Sequence, residues 1–458
     1  MNLMMNRRRA LQLGVNALGS GALLATLGGF ERALAASAPA NDYRALVCVF
    51  LAGGCDTANL VVPTSGSVYQ LYARIRQTLA LPSIDLLGLN SLLDLPLLGG
   101  VRYGLHPSCA GLQSLYDSGR LAIVANTGPL AEPLTRADYV AGRATLPPQL
   151  FSHIDQQHLR MSATADAQPH GWAGRVADLL AAREGQPELA MNVSIGGANL
   201  WQSGAETLPY VLSADGAPRM RYWQAGDSEA VRRRQVFTRL LDLADADGNP
   251  LVREYSRTQR RGIDTAERVA SALDAVPAPS TTFPQSYLGK QLAMAARLIG
   301  AREALGVKRQ MIFVMAGGWD THANQLSQQT DLFADLSASL TSFHRATEEL
   351  AIADSVTSFT ATDFGRTLTR NGDGTDHGWG SHALVLGGAV RGGGIYGRMP
   401  DMATGSADDA GSGRIIPQIA TEQYAATLAR WFGVAESDID TVFPTLGRFA
   451  SRDLGIFA

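Results

Sequence analysis

Seven acidic and imidazole side chains carry most of the chemistry this chain could perform. Asp56 closes the run "FLAGGCDTAN", and Asp320 and His322 close "VMAGGWDTHAN". Asp363 lies two residues beyond "SVTSFTA", Asp376 and His377 share "GDGTDHGWG", and His382 opens "HALVLGG". The phrase Ala-Gly-Gly-x-Asp-Thr thus occurs twice, more than half the chain apart. Mixed aspartate and histidine is the donor set of hydrolytic metal centres, which use about three or four N/O ligands per ion at about 2.0–2.2 Å. Two ions about 3.5–4 Å apart can clamp the attacking and leaving oxygens of an ester displacement.

Such ligands must come from rigid elements. Six short apolar runs, 45–51, 121–125, 191–195, 309–316, 355–361 and 382–388, are mostly non-alternating, the pattern of strands buried on both faces. Between them lie helical periods, for example Leu332, Leu336, Leu340, Phe343 and Leu350. Strand–helix alternation predicts a doubly wound, mostly parallel α/β sheet. In an open α/β sheet the carboxyl ends of the strands face one crevice, so Asp56, Asp320, His322, Asp363 and His377 are expected to converge there, with Asp376 and His382 as further ligands. The glycine pairs would let the backbone make room beside the ligands. A charged segment at about 200–285 predicts a helical insertion or cap, turning at Asp247-Gly248-Asn249-Pro250. That turn is no calcium loop, since Leu243 would occupy the first ligand position. The glycine-rich loops 372–380 and 391–397 lack the Gly-Lys-Ser/Thr and dinucleotide spacings of phosphate cradles.

The 458 residues are 46% hydrophobic and 18% charged, a globular composition that excludes disordered and collagen-like chains. "MNRRRALQLGVNALGSGALLATLGGFERALAASA" has a basic start, a weakly apolar middle and an A-x-A end at Ala33-Leu34-Ala35. It resembles a twin-arginine export signal over residues 1–35, which predicts the twin-arginine translocase as a partner and a periplasmic or secreted mature chain of residues 36–458. Losing that segment removes four arginines and one glutamate and takes the net charge from −3 to −6. Such a surface does not attract nucleic acid or anionic lipid. No internal stretch has the length of a membrane span, so none is expected after signal cleavage. Cys48, Cys55 and Cys109 are too few for a disulfide framework and read as buried small hydrophobes.

In their order, "LVCVFLAGGCDTANLVVP", "LHPSCAGLQSLYDSGRLAIVANTG", "LFSHIDQQ", "HGWAGRVAD", "GGWDTHANQ", "ATDFGRT" and "GTDHGWGSHALVLGG" resemble the bacterial domain-of-unknown-function family 1501, over nearly the whole mature chain. That family is similar to the alkaline phosphatase and sulfatase superfamily, a two-metal α/β fold. The resemblance implies a metal aspartate at Asp56 and a ligand pair at Asp320 and His322, with spacing shorter than the superfamily's. It implies a further ligand at Asp363, where Phe364 replaces the usual histidine, and a last histidine at His377 or His382. It implies a divalent metal, zinc, calcium or magnesium, and a small anionic ester as substrate. Ser152, at an expected helix start, is the candidate nucleophile and Ser108 a second; Arg366 and His153 are candidates to steady the anion. The function expected is an exported metal-dependent hydrolase of phosphate or sulfate esters, in which Ser152 or a metal-bound water attacks. The alternative is a non-catalytic envelope protein of the same fold with a degenerate or structural metal site.

Overall fold

A computed structural model describes residues 42–93, 100–165, 168–184, 191–217 and 228–457. The chain divides into two units, residues 1–43 and 44–458, and every element below belongs to the second. The expected export signal lies outside the described residues.

The strands are β1 (Arg44–Leu51), β2 (Val61–Pro63), β3 (Leu87–Gly88), β4 (Tyr103–Leu105), β5 (Leu121–Gly128), β6 (Asn192–Ser194), β7 (Tyr210–Val211), β8 (Arg309–Ala316), β9 (Val356–Thr362), β10 (Arg366–Asn371), β11 (Gly374–His377), β12 (Ser381–Gly387), β13 (Gly394–Tyr396) and β14 (Ile419–Ala420). The helices of eight residues or more are α1 (Gly66–Arg76), α2 (Ala110–Asp117), α3 (His153–Ser162), α4 (Trp172–Glu184), α5 (Ser228–Asp245), α6 (Pro250–Ala275), α7 (Tyr287–Gly300), α8 (Gln325–Glu349) and α9 (Thr421–Phe432).

The central sheet runs β13-β5-β12-β9-β1-β8-β6-β7, with β14 also on β5. All its pairings are parallel except those of β12, which is antiparallel to both β5 and β9. The fold is therefore mixed α/β around a large, mostly parallel sheet. The six runs singled out in the sequence each coincide with a strand of this sheet. Their lack of alternation follows from burial on both faces. Leu46, Cys48, Phe50, Met311, Phe313 and Phe359 pack on one side against Trp172 and Val176 of α4 and Leu428 and Phe432 of α9. On β8, α7 packs alongside and in turn against α8.

Within the charged segment α5 and α6 form a helical hairpin. Its turn is held by capping: Asp247 Oδ1 accepts from Asn249 N at 2.7 Å, and Asn249 Oδ1 accepts from Leu251 N at 2.9 Å. Pro250 at the first helical position has the preset φ that a helix start requires. Arg260 bridges back to Asp242 and Asp245 across the hairpin. The three cysteines are all free and buried. Among the described residues no helix is long and apolar enough to cross a membrane.

One buried acid makes stability sensitive to pH. Glu422 of α9 accepts from Thr445 Oγ1 at 3.0 Å, but its Oε2 has no partner. Burial pushes its pKa from 4.5 up to about 7, against the hydrogen bonds that favour the charged form. A raised folded pKa means that the folded state holds the proton more tightly than the unfolded one. The stabilisation is complete below about pH 4.5 and is lost as pH rises through about 7. Denaturant midpoints measured from pH 5 to 8 should fall with pH in the native chain and fall less in Glu422→Gln.

Candidate metal centre

The two Ala-Gly-Gly-x-Asp-Thr phrases meet in space. β1 and β8 are parallel neighbours with Leu51 opposite Ala316, so both phrases leave the sheet at the same end, one residue out of phase. Ala52 N donates to Ala316 O at 2.8 Å, and Trp319 N donates to Ala52 O at 3.3 Å. Gly53 has φ +120°, and a Cβ there would stand 2.5 Å from Asp320 N. Gly54 has φ +88°, and its Cβ would meet the Phe364 ring at 2.5 Å. The first glycine pair therefore admits the second turn and the end of β9. Gly317, by contrast, has open space around it.

The offset sends the two aspartates apart. Asp56 turns inward, forms a fully buried ion pair with Arg76 and accepts from Gln325 Nε2 at 2.6 Å. The expectation that it joins the other ligands is corrected: its carboxylate already neutralises a buried guanidinium. Asp320 turns outward and keeps 42% of its side chain exposed.

Three imidazoles surround Asp320. Its Oδ1 lies 3.0 Å from His322 Nε2 and 3.3 Å from His377 Nε2, and its Oδ2 lies 3.4 Å from His153 Nε2. His322 Nε2 and His377 Nε2 are 3.1 Å apart. Ligand atoms of His153, Asp320 and His377 all lie within 4.8 Å of one another. The partners on the far side of two rings fix what they present. His377 Nδ1 donates to Phe151 O at 2.8 Å, and His153 Nδ1 donates to Asp363 Oδ2 at 2.6 Å. A neutral imidazole that donates from Nδ1 has a bare lone pair on Nε2. Lone pairs and a carboxylate thus face one another, an arrangement that calls for a cation or added protons at its centre. Ligands about 2.0–2.1 Å from a tetrahedral ion stand about 3.3 Å from each other, close to the 3.0–3.4 Å between Asp320 and the three rings, while the ligand atoms of His153, Asp320 and His377 spread over as much as 4.8 Å. The donor set fits a metal, and the buried Asp363 behind His153 is the kind of carboxylate that orients a metal-binding histidine.

Local sequence explains these positions. α3 starts at His153, and Gln157, one turn later, also donates to Asp363 Oδ2, at 3.0 Å. Gly53 N reaches both oxygens of Asp363 at 3.3 Å. Phe151 has φ +74° in the turn that brings its carbonyl to His377. β10 and β11 form a hairpin that ends with His377 paired to Arg366. Partial burial raises the pKa of Asp320, but the Arg366 hydrogen bond and charge, with His322 and His153, outweigh it and hold it below the usual carboxylate value. Burial lowers the pKa of His377, and the charges of His153 and Arg366 add to this against its bond to Phe151.

The remaining expected residues take other places. Arg366 is fully buried: Nη1 donates to Asp320 Oδ1 at 2.6 Å, and Nε and Nη2 donate to Thr375. With these partners it braces Asp320 rather than steadying an anion. His153 belongs to the cluster itself. Asp376 stands at its rim, 3.7 Å from His322 Nδ1, and accepts from Asn371. His382 is buried, and its Nδ1 accepts from Asn126 N at 3.0 Å, so it faces away from the cluster's hydrogen-bond network. Ser152 is the N-cap residue of α3, and its hydroxyl donates to Asp155 Oδ2 at 2.6 Å on the same helix. Sequence reasoning missed Arg76, Gln157, Gln325 and Thr375. For Gln157 the i, i+4 spacing to His153 was the available signal; nothing local marked the other three.

A family model described as "Protein of unknown function (DUF1501)" matches residues 43–418. The chain belongs to the DUF1501 family. No curated protein matches it. Among solved structures, one titled "Crystal structure of Ps i-CgsB in complex with k-i-k-neocarrahexaose" aligns over 90% of this chain and 75% of that one, at 9% identity and a TM-score of 0.33.

The repeated glycines of this family member should respond differently to a methyl group. Gly53→Ala forces a left-handed backbone and a clash with Asp320 N, and should destabilise by about 1–3 kcal/mol or more. Gly317→Ala should stay within about 0.5 kcal/mol of the native chain. Asp56→Ala leaves Arg76 buried and unpaired and should cost about 3–5 kcal/mol. Urea unfolding midpoints of the three variants check these values.

Proposed function

We propose that this DUF1501 protein is an exported metal-dependent hydrolase of small phosphate or sulfate esters, with an alkaline-phosphatase-like arrangement of its sheet. The observation that carries the reading is the convergence of three imidazole Nε2 atoms on the Asp320 carboxylate at a solvent-open strand end. A donor set rich in imidazole favours zinc, whereas calcium and magnesium prefer sites built of oxygen ligands alone. Asp320, His153, His322 and His377 would hold the ion. A bound zinc ion supplies Lewis-acid polarisation of an ester oxygen and lowers the pKa of a coordinated water toward about 7.

The chain's own residues supply orientation. Asp363 and Phe151 O keep His153 and His377 in the tautomer that presents Nε2. Arg366 holds Asp320 in place and lowers its proton affinity. With the hydroxyl of Ser152 given to Asp155, the water route is favoured over covalent attack by serine. The rings of His153 and Phe364 lie 4.8 Å apart and those of Phe364 and His377 4.6 Å apart, so an apolar wall stands where a second ion would need a ligand. With Asp56 also committed to Arg76, the site supports one metal. The same incompleteness favours a second reading, a non-catalytic envelope protein in which the ion is structural. The resemblance of residues 1–35 to a twin-arginine signal supports a periplasmic or secreted location for either.

Purification without chelators followed by elemental analysis should find about one zinc per chain. His377→Ala should lose the metal and keep the fold, because the residue ends a surface hairpin. Metal-loaded protein should hydrolyse members of a panel of phosphate monoesters, diesters and sulfate esters, with a rate that rises through neutral pH. Ser152→Ala should keep most of that rate; loss of nearly all of it would instead assign a covalent serine. Firmly bound zinc without turnover above a metal-free control would establish the non-catalytic reading.

A further inference from the structure

The α5–α6 hairpin has two unlike flanks. Its seam runs past Leu241 and Ser256, both buried, where Ser256 Oγ donates to Leu241 O at 3.0 Å. One flank is closed by charge, with Arg260 paired to Asp242 and Asp245. The other is apolar and open. Val236, Leu240 and Leu243 on α5 and Leu251 and Tyr255 at the start of α6 are each 57–77% exposed. At about 100° per residue, each stripe sits about 120–130° round its helix from the seam residue, in the same rotational sense. In an antiparallel pair that places both stripes on one face. Single apolar residues on a surface are ordinary, whereas five on one face mark an interaction site.

The charges along the α5 stripe select the partner. Its line begins at Arg232, one turn before Val236, and ends at Asp247, one turn beyond Leu243. Among the described residues neither forms an ion pair; the Asp247 carboxylate accepts only from Asn249 N. The stripe thus runs from basic through apolar to acidic, and is complementary to itself in the reverse direction. A two-fold axis that sets Val236 against Leu243 of a second copy also sets Arg232 against Asp247 of that copy, because both pairs share one midpoint. Leu240 then lies nearest the axis, against its own equivalent. Arg239, also without an ion pair among the described residues, comes to the level of Asp242 of the second copy. A parallel arrangement would oppose like charges, and an anionic surface that attracts Arg232 would repel Asp247 on the same line.

We propose that this chain forms a two-fold dimer through the hairpin, with α5 packed antiparallel on α5 of a second copy and Leu251 and Tyr255 widening the apolar contact. Burial of the apolar centre supplies the attraction, and the charged ends fix direction and register. The contact is isologous, so it closes at two copies. No residue of the metal cluster belongs to it, and the dimer does not depend on the reading of that cluster.

Sedimentation velocity of the full chain should give a dimer at about 50 μM, which populates even a dimer with a Kd of about 10 μM. Leu240→Glu should give a monomer with unchanged circular dichroism, since the side chain is exposed in the single chain. Register is read by oxidative cross-linking. Chains with Val236→Cys mixed with chains carrying Leu243→Cys should cross-link at least about tenfold faster than either variant alone, whose new thiols would stand about 10 Å apart along the helix, beyond the about 7 Å reach of a disulfide. The native Cys48, Cys55 and Cys109 are buried and do not compete. A chain monomeric at that concentration, a dimer that survives Leu240→Glu, or each variant cross-linking with itself as fast as with the other would overturn the proposal. A monomer that binds phosphatidylglycerol vesicles, and loses them with Leu240→Glu, would also overturn it and assign the face to a membrane.

Discussion

A carboxylate and three imidazoles, two of them held with a bare lone pair on Nε2, are gathered at the end of a parallel sheet. Asp320 stands 3.0–3.4 Å from three imidazole nitrogens, and two of those rings are pinned by acceptors on their far sides. Where the two pinned rings and the carboxylate meet, their lone pairs call for a proton or a cation between them. The surrounding structure is arranged around that requirement: Arg366 takes one oxygen of Asp320, Asp363 backs His153, and the carbonyl of Phe151 backs His377. The backbone approach that makes the packing possible is Gly53 against Asp320, which no residue with a Cβ could reproduce.

Behind the cluster a directional hydrogen-bond chain links the two repeated aspartates. Arg366 donates to both Asp320 and Thr375, Thr375 Oγ1 donates to Gln325 Oε1 at 2.7 Å, and Gln325 Nε2 donates to Asp56 Oδ2 at 2.6 Å. Arg76 closes the far end. Each aspartate is thus matched to a buried arginine, and amide and hydroxyl side chains tie the two pairs into one unit. Networks of this kind are strong when complete and costly when interrupted. This one joins β1, α1, the start of α8 and the β10–β11 hairpin, so the loops that bear the candidate ligands are braced from within the core.

Much of the architecture was legible in the sequence. The six apolar runs mark strands because a doubly covered parallel sheet leaves no polar face, and the helical period between them survives in α8. The Asp247–Pro250 turn carried its own caps. The aspartates and histidines at strand ends were legible as a group for the same reason: strand direction alone places their loops on one edge.

What the sequence could not decide was which members of that group face each other. Asp56 and Asp320 sit in identical local phrases, yet one closes a buried ion pair and the other opens to solvent. The difference comes from a one-residue offset in the register between β1 and β8, and from Arg76, twenty residues away on another element. His153 was assigned a part in anion binding, and only the packing of α3 against β9 made it a member of the cluster. His382 has the residue type of a ligand but is held by Asn126 inside the core. Local sequence determines where a side chain lies along its element. Its partner is decided by the register and packing of elements distant in the chain, which no local pattern encodes.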